Sequence, residues 1–251
     1  MKASMKIWAH RGCSQKYPEN TLVAFSKAIE LSKITGIELD IQMTKDGEIV
    51  VIHDERVDRT TDAIGYVRDY TYLQLRTFRI ETGDKRKEKI PSIVEVLDLI
   101  QDRMKEGLLL NIELKNNIVA YAGMEDKILN LVAQRGLQDN VIYSSFYTKS
   151  LYKIREFSPS TSIGVLDTRV SDCFYKCRGA FGEDTSQVAL HPYWQGIDLT
   201  KRQLHRFAVR AWFTGHLYPE KPTGKKLDLD VLEQQGITDV FLNEPEEYQL
   251  Y

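Results

Sequence analysis

The chain has few cysteines, and their number and spacing argue against disulfides and against a zinc site. Cys13, Cys173 and Cys177 are the three cysteines among 251 residues, so they cannot all pair within one chain. The spacing of Cys173 and Cys177 lacks the second pair of ligands that a zinc site would use. We therefore expect all three to be reduced thiols in a reducing compartment.

Long apolar runs and an excess of one charge are also absent. No stretch approaches the roughly 20 apolar residues that span a bilayer, and residues 1–8 lack the apolar core of a signal peptide. The 34 basic and 36 acidic side chains give a formal net charge of −2, so no broad basic field is available to track nucleic acid. These absences predict a soluble, cytoplasmic protein with no nucleic-acid partner and no stable membrane association.

Alternating strands and helices fill most of the chain. Eight strands are predicted by apolar periodicity, at 6–9, 37–42, 108–115, 141–145, 162–166, 187–191, 208–213 and 238–242. This number of strands, alternating with helices, closes a (β/α)₈ TIM barrel. A doubly wound open sheet shows the same alternation, but its usual glycine-rich phosphate loop after the first strand is missing. We expect an α/β fold with one barrel domain over residues 1–251.

A hairpin and an insertion are expected after the second barrel strand. The run 49–53 follows strand 37–42 too closely for a parallel crossover, so the two should pair antiparallel. With Asp46-Gly47 as a two-residue turn, His53 lies across from Asp40. The irregular stretch 55–89 that follows is typical of a functional lid or insertion. The alternative is a solvated excursion with no role in binding.

Acidic side chains alternate with aliphatic ones on the predicted strands. Glu38 and Asp40 share one face of strand 37–42, and Glu113 shares a face with Lys115 on strand 108–115. Hard oxygen ligands from two strands suit Mg²⁺ or Ca²⁺, with Mn²⁺ as an alternative. We therefore predict a site for one divalent cation, made by Glu38, Asp40 and Glu113.

The order of the polar motifs resembles the glycerophosphodiester phosphodiesterase family. The motifs are Ala9-His10-Arg11-Gly12, Pro18-Glu19-Asn20-Thr21, Glu38-Leu39-Asp40 and His53-Asp54. The resemblance implies that His10 and His53 act as general acid and base, that Arg11 and Lys115 bind phosphate, and that the three carboxylates bind the metal ion. It also implies hydrolysis of a small-molecule glycerophosphodiester to sn-glycerol 3-phosphate and an alcohol. We expect residues 18–21 to brace the first loop and cap the following helix rather than to touch substrate.

The resemblance weakens toward the C-terminus. Trp212 falls where the family has a tryptophan lining the glycerol pocket, but Thr214-Gly215 and the extra segment 216–226 depart from the family pattern. Asn243 stands where an aspartate is common, and these departures fall where the specificity for the alcohol or glycerol would be set. His191 ends another predicted strand, which leaves open whether it is a pocket residue or a structural one.

Two other functions remain open at this stage. A related barrel phosphodiesterase would act on lysophospholipid or phosphoinositide and would need a surface that meets lipid, for which Tyr66, Tyr70 and Tyr72 are candidates. A catalytically silent barrel would bind a phosphorylated ligand, but such proteins usually lose a catalytic histidine or a metal carboxylate. The sequence leaves a homodimer open, and it does not identify the preferred headgroup, the physiological ion or the attacking nucleophile.

Overall fold

The computed structural model describes residues 5–82, 87–213 and 227–249. Its strands are β1 (Lys6–His10), β2 (Gly36–Met43), β3 (Ile49–Val51), β4 (Ile80–Glu81), β5 (Lys87–Glu88), β6 (Leu109–Leu114), β7 (Val141–Ser145), β8 (Ser162–Asp167), β9 (Val188–Pro192), β10 (Arg210–Ala211) and β11 (Asp239–Leu242). Its α-helices are α1 (Leu22–Ile29), α2 (Tyr72–Leu75), α3 (Ile93–Lys105), α4 (Met124–Ala133), α5 (Thr148–Phe157), α6 (Val170–Phe181), α7 (Lys201–Leu204) and α8 (Leu229–Gln234). Thr214-Gly215 and the segment 216–226, noted above as departures from the family pattern, lie outside the described residues.

Eight parallel strands form a nearly closed barrel. They are hydrogen-bonded in the order β10-β11-β1-β2-β6-β7-β8-β9. The circle is completed by single parallel bridges from Leu190 to Val209 and from Tyr193 to Trp212. The predicted α/β barrel is therefore confirmed, although the strand expected at 208–213 is reduced to the two residues of β10.

Two layers of apolar side chains follow from the alternation along the strands. Ile37, Leu39 and Ile41 of β2 are fully buried in the large cluster between the sheet and its helices. Trp8 and Phe241 belong to a separate small cluster inside the barrel. Because successive side chains point to opposite faces of a strand, the inner face of β2 is left to its polar residues.

The hairpin register differs from the prediction by one residue. β3 pairs antiparallel with β2, and Ile41 lies opposite Val51. The Ile52 amide donates to the Asp40 carbonyl at 3.0 Å, so Asp40 lies across from Ile52 and not from His53. Five residues, 44–48, lie between the two strands. The Thr44 amide donates to the Glu48 carbonyl at 2.9 Å, so the turn itself is 45–47, and its last residue, Gly47, has a φ of 80°. A left-handed residue at the end of such a loop adds one residue to the turn and shifts the pairing.

The segment after β3 packs on a core of its own. Its buried cluster consists of Val50, Ile52, Val57, Val67, Leu75, Ile80 and Ile90. The short hairpin of β4 and β5 lies in the same segment and was not predicted. The described part of 55–89 is therefore a packed unit beside the barrel and not a solvated excursion.

Two predictions from absences can be compared with the structure. All three cysteines are buried, and none is in a disulfide. Within residues 5–82, 87–213 and 227–249, no helix combines the length and apolarity needed to cross a membrane.

Candidate active site

The strand register brings acidic and basic side chains together inside the barrel. His10, the last residue of β1, lies beside Glu38 of β2, and Asp40 of β2 lies beside Glu113 of β6. Side chains two apart on a strand share a face, so both acids of β2 point inward. A cavity of about 490 Å³ lies here, and His10, Glu38 and Glu113 are among the residues that line it.

The three carboxylates selected from the sequence form one cluster. Glu38, Asp40 and Glu113 are buried, and each offers an oxygen within 4.8 Å of the others. Among the described residues, Asp40 Oδ1 has no hydrogen-bond partner, and the Lys115 ammonium is 3.8 Å away. A buried carboxylate oxygen without a hydrogen bond is costly. Three hard oxygens converging in this way fit a divalent cation of the Mg²⁺ or Ca²⁺ type.

The neighbouring carboxyl groups of Glu38 and Asp40 have pKa values shifted in opposite directions. Burial and the negative charge of Asp40 raise the pKa of Glu38 well above its usual value. Burial acts in the same direction on Asp40, but the positive charges around it, Arg11 first, together with the hydrogen bond from Asn20 outweigh burial and hold the pKa of Asp40 low. Lys115 Nζ lies 2.8 Å from Glu113 Oε1. Despite burial, the charge of Glu113 raises the pKa of Lys115, so this side chain stays cationic.

Arg11 is held in a strained backbone conformation by several contacts. Its φ of 56° lies in the left-handed region, which residues other than glycine, asparagine and aspartate rarely adopt. Its amide donates to Glu38 Oε2 at 3.0 Å, and its NH1 donates to Glu19 Oε1 at 2.9 Å. Nε lies 3.2 Å from Asp40 Oδ2. These contacts fix the guanidinium at the edge of the carboxylate cluster, where it lines the cavity.

His10 is oriented by Asn243. Its Nδ1 lies 2.6 Å from the Asn243 side-chain oxygen, which can only accept, so Nδ1 carries the proton. Its Nε2 is directed toward Glu38 Oε2, 3.8 Å away. Burial and the charge of Arg11 lower the pKa of His10 to about 3. The sequence marked Asn243 only as a departure near the alcohol-binding end, whereas the structure places it against His10.

His53 approaches the same cluster from the segment after β3. Its Nδ1 donates to Asp54 Oδ1 at 2.6 Å, which leaves Nε2 facing Lys115 Nζ at 3.1 Å. The Gln42 side chain donates to the His53 carbonyl at 2.9 Å and ties this backbone to β2. His53 therefore lines the same cavity as Glu38 and Glu113, although the predicted register was wrong.

The motif at residues 18–21 does more than the sequence indicated. Thr21 caps α1 as expected, because its hydroxyl accepts from the Ala24 amide. Asn20 also donates to Asp40 Oδ2 at 2.9 Å, and Glu19 binds Arg11. The motif thus touches two site residues directly, and nothing in its local spacing marked those contacts.

His191 and Trp212 both lie in the cavity wall. Trp212 Nε1 donates to the His191 carbonyl at 3.1 Å, and the His191 ring packs edge-on against Phe241 with centroids 5.4 Å apart. Burial and the charge of Arg210 lower the pKa of His191 well below its usual value. His191 therefore contributes a neutral, fully buried ring to the wall.

Asp54 and Arg59 are site residues that the sequence analysis did not select. Asp54 binds His53, and Arg59 binds both Asp54 and Glu19. The His-Asp order hinted at Asp54, since a carboxylate commonly orients a neighbouring imidazole. Arg59 had no such signal, because it lies in an irregular segment without periodicity.

Comparison with known proteins gives consistent matches. The profile of the Glycerophosphoryl diester phosphodiesterase family matches residues 10–223. A protein from Caldanaerobacter subterraneus named "Glycerophosphodiester phosphodiesterase" is 44% identical over 163 residues, which are 64% of this chain and 65% of that protein. A Bacillus altitudinis protein of the same name is 40% identical over 205 residues, covering 78% of each chain.

Solved structures show the same fold. A putative glycerophosphodiester phosphodiesterase from Galdieria sulphuraria superposes with a TM-score of 0.77 at 24% identity and covers 100% of both chains. An Oleispira antarctica phosphodiesterase, solved in complex with the product sn-glycerol-3-phosphate, has a TM-score of 0.76 at 22% identity and covers 98% of this chain and 95% of that one.

Proposed function

Because the chain belongs to the glycerophosphoryl diester phosphodiesterase family, we propose that it hydrolyses glycerophosphodiesters to sn-glycerol 3-phosphate and an alcohol. The observation that carries this proposal is the cavity lined by His10 and His53, by the cations Arg11 and Lys115, and by members of the carboxylate cluster. A phosphodiester resists attack because it is anionic, so hydrolysis needs charge neutralisation, a base and an acid. The cavity offers side chains for each of these roles.

One divalent cation, Mg²⁺, Ca²⁺ or Mn²⁺, would be held by Glu38, Asp40 and Glu113. The partnerless, buried oxygen of Asp40 and the hard oxygen donors support this assignment. Such an ion neutralises charge on phosphoryl oxygens and lowers the pKa of hydroxyl groups near it. Its ligands remain anchored without substrate, since Asn20 donates to Asp40 and the Arg11 amide donates to Glu38.

Phosphate binding is assigned to Arg11, which contacts Asp40, and to Lys115, which contacts Glu113; both line the cavity. Arg11 presents a planar guanidinium, which matches phosphate oxygens in a bidentate manner. Lys115 contributes a point charge beside His53 Nε2, at 3.1 Å. The two cations would hold the diester between the two imidazoles.

Proton transfer is assigned to His10 and His53. Each ring has its Nδ1 engaged, by Asn243 and by Asp54 respectively, so Nε2 is the atom available for transfer. The imidazole that is unprotonated at Nε2 takes the proton of the attacking hydroxyl, and the other, once its Nε2 has taken up a proton from solvent, gives it to the leaving alcohol oxygen; the proton gained by the first ring returns to solvent after turnover. The attacking group is water or the neighbouring glycerol hydroxyl. Phosphorus NMR would detect the cyclic phosphate that attack by the glycerol hydroxyl produces.

The first test is hydrolysis of glycerophosphocholine, glycerophosphoethanolamine and glycerophosphoglycerol. Release of glycerol 3-phosphate is measured with Mg²⁺, Ca²⁺, Mn²⁺ or EDTA, and we expect metal-dependent release. Substitutions His10→Ala and His53→Ala should each abolish turnover while the circular dichroism spectrum is kept. His205→Ala, at an exposed histidine outside the cavity, is the matched control and should leave the rate unchanged. Near-normal turnover in both His10→Ala and His53→Ala would contradict the proposed catalytic roles of the two histidines.

A second candidate substrate is a lysophospholipid. The observation in its favour is Ile118, which is 69% exposed and lines the same cavity as Phe146 and Phe213. An apolar rim of this kind suits an acyl chain near the scissile phosphate. Faster turnover of micellar lysolipid than of soluble headgroup diesters would favour this substrate.

We also propose that residues 1–251 form one barrel domain, with the insertion near 55–89, and that the protein works in the cytoplasm. Its partner would be the small-molecule diester. Size-exclusion chromatography with light scattering would decide between a monomer and a homodimer.

A further inference from the structure

Arg59 makes paired hydrogen bonds to two carboxylates at once. Its NH1 and NH2 donate to the two oxygens of Glu19, both at 2.8 Å. Its Nε and NH2 donate to the two oxygens of Asp54, at 2.6 Å and 3.0 Å. A guanidinium used on both edges in this way is fixed in orientation, because each pair of bonds defines a plane.

Each carboxylate has a second partner inside the cavity. Glu19 Oε1 also accepts from Arg11 NH1 at 2.9 Å, and Asp54 Oδ1 also accepts from His53 Nδ1 at 2.6 Å. Arg59, from the inserted segment, is therefore linked through one carboxylate to Arg11 and through the other to His53. The chain of contacts runs Arg11, Glu19, Arg59, Asp54, His53.

The contacts of Arg59 differ from an ordinary surface ion pair. The Glu19 side chain is 3% exposed, so without Arg59 it would lose two charge-assisted hydrogen bonds in a site with little access to water. Arg56, three residues earlier, pairs with Asp58 while the two side chains are 42% and 37% exposed. Exposed pairs of that kind contribute little to stability or position.

The backbone around Arg59 is also held in place. Val57 is fully buried in the separate core of the segment, its amide donates to the Gly65 carbonyl, and its carbonyl accepts from the Thr61 amide. The backbone that carries Arg59 is thus fixed by packing and hydrogen bonds within the insertion.

We propose that Arg59 is a positioning residue through which the inserted segment sets the placement of His53 relative to Arg11. This inference rests on the proposed function, in which those two residues act on one phosphodiester. Arg59 acts through Glu19 and Asp54 and does not itself have to touch the substrate. The insertion then has a role in turnover that neither its irregular sequence nor its distance from the barrel strands indicates.

The test compares Arg59→Ala with Arg56→Ala, using the diester that the unaltered protein hydrolyses fastest. Loss of an outer-shell partner typically costs 10–100-fold in activity, so we expect R59A to lose kcat by about that factor, while R56A keeps both kcat and KM. Added guanidinium should restore part of the R59A rate, because a planar double donor fits between the two carboxylates. It should not restore His53→Ala.

Arg59→Lys is a second variant that separates loss of function from misfolding, because lysine keeps the positive charge and the aliphatic part of the side chain. A lysine cannot bridge two carboxylates in a bidentate manner, so R59K should fold like the unaltered protein and still lose most of kcat. In a double-mutant cycle, Asp54→Asn should cost much less in the R59A background than alone.

The possible outcomes separate the two proposals. If the unaltered protein is active and R59A or R59K matches R56A in kcat and KM, the role of Arg59 is overturned and the proposed function stands. Losses of R59A and D54N that simply multiply, or an R59A rate that guanidinium does not raise, also overturn it. If the unaltered protein releases no glycerol 3-phosphate with any ion, the proposed function fails, and this inference fails with it.

Discussion

At the scale of single residues, the tautomer of His10 depends on Asn243, which follows the last barrel strand. The 2.6 Å contact joins residues 233 positions apart. An amide oxygen orients the ring as a carboxylate would, but it adds no negative charge beside the imidazole. The orientation of His10 and its electrostatic environment can therefore be altered separately by substituting Asn243.

Asn243→Leu should lower kcat by about 10–100-fold with little change in KM, because the ring loses the acceptor that fixes its Nδ1 proton. Asn243→Asp keeps an acceptor oxygen and should retain more of the rate than the leucine variant. Steady-state kinetics on a soluble diester measures both. Asn130→Ala, at a helix position whose amide binds only the exposed Asp126 in the described structure, is the control. An unchanged kcat in N243L would contradict the prediction.

At the scale of secondary-structure elements, a glycine on β8 makes room for a side chain of β9. A Cβ at Gly164 would lie 2.2 Å from His191 Cε1, so the ring occupies the space above this strand. The two strands pair in parallel, with Gly164 opposite Ala189. The position of the His191 ring in the cavity wall therefore depends on residue 164 being a glycine, which has no side chain to occupy that space.

Gly164→Ala should displace the His191 ring and destabilise the protein by about 1–3 kcal/mol, the usual cost of overpacking. Because His191 lines the cavity, KM for the diester should rise as well. Gly179→Ala is the matched control, since nothing lies within 4 Å of the added methyl group on α6. That change should leave stability the same or raise it by about 0.5–1 kcal/mol. Urea unfolding measures both variants, and a G164A protein as stable as G179A would refute the packing argument.

At the scale of the whole molecule, the buried Glu38 carboxylate opposes folding near neutral pH when no cation is bound. Burial and the charge of Asp40 raise the pKa of Glu38, so the folded state binds more protons than the unfolded state above the usual glutamate value. Stability then falls as pH rises from the ordinary pKa of glutamate through the raised one. A bound divalent ion would offset this loss, because it favours the ionised carboxylate.

Glu38→Gln should therefore raise the Tm of the metal-free protein near neutral pH, by about 2–4 °C for each kcal/mol gained in a chain of this size. The same variant should lose the rise in Tm that Mg²⁺, Ca²⁺ or Mn²⁺ gives the unaltered protein. Thermal unfolding in EDTA and in each ion measures both effects. Glu156→Gln removes the same charge from an exposed position on α5 and should respond to metal like the unaltered protein. Equal metal responses in E38Q and E156Q would contradict the assignment of the ion.

The barrel itself could be predicted from the sequence because its signals are local. Ile37, Leu39 and Ile41 alternate with Glu38 and Asp40, and that period of two separates a helix-packed face from a polar inner face without knowledge of any distant residue. The alternation of strands and helices then limits the fold to a few parallel α/β arrangements. The candidate side chains for catalysis and metal binding were selected from the same local motifs.

The contacts that orient those side chains were decided by tertiary structure. The one-residue shift of the hairpin depends on a three-residue turn that ends at the left-handed Gly47. A two-residue Asp-Gly turn also places its glycine in the left-handed region, so Asp46-Gly47 did not distinguish the two turns. His10 is held by Asn243. Arg11 is held by Glu19, which Arg59 also binds. No periodicity in the sequence links these positions. Side-chain alternation is a property of one strand, whereas such pairs exist only once the barrel has closed and the insertion has packed against it. The sequence alone therefore determined the barrel and its candidate site residues, and the closed fold decided how those side chains are held.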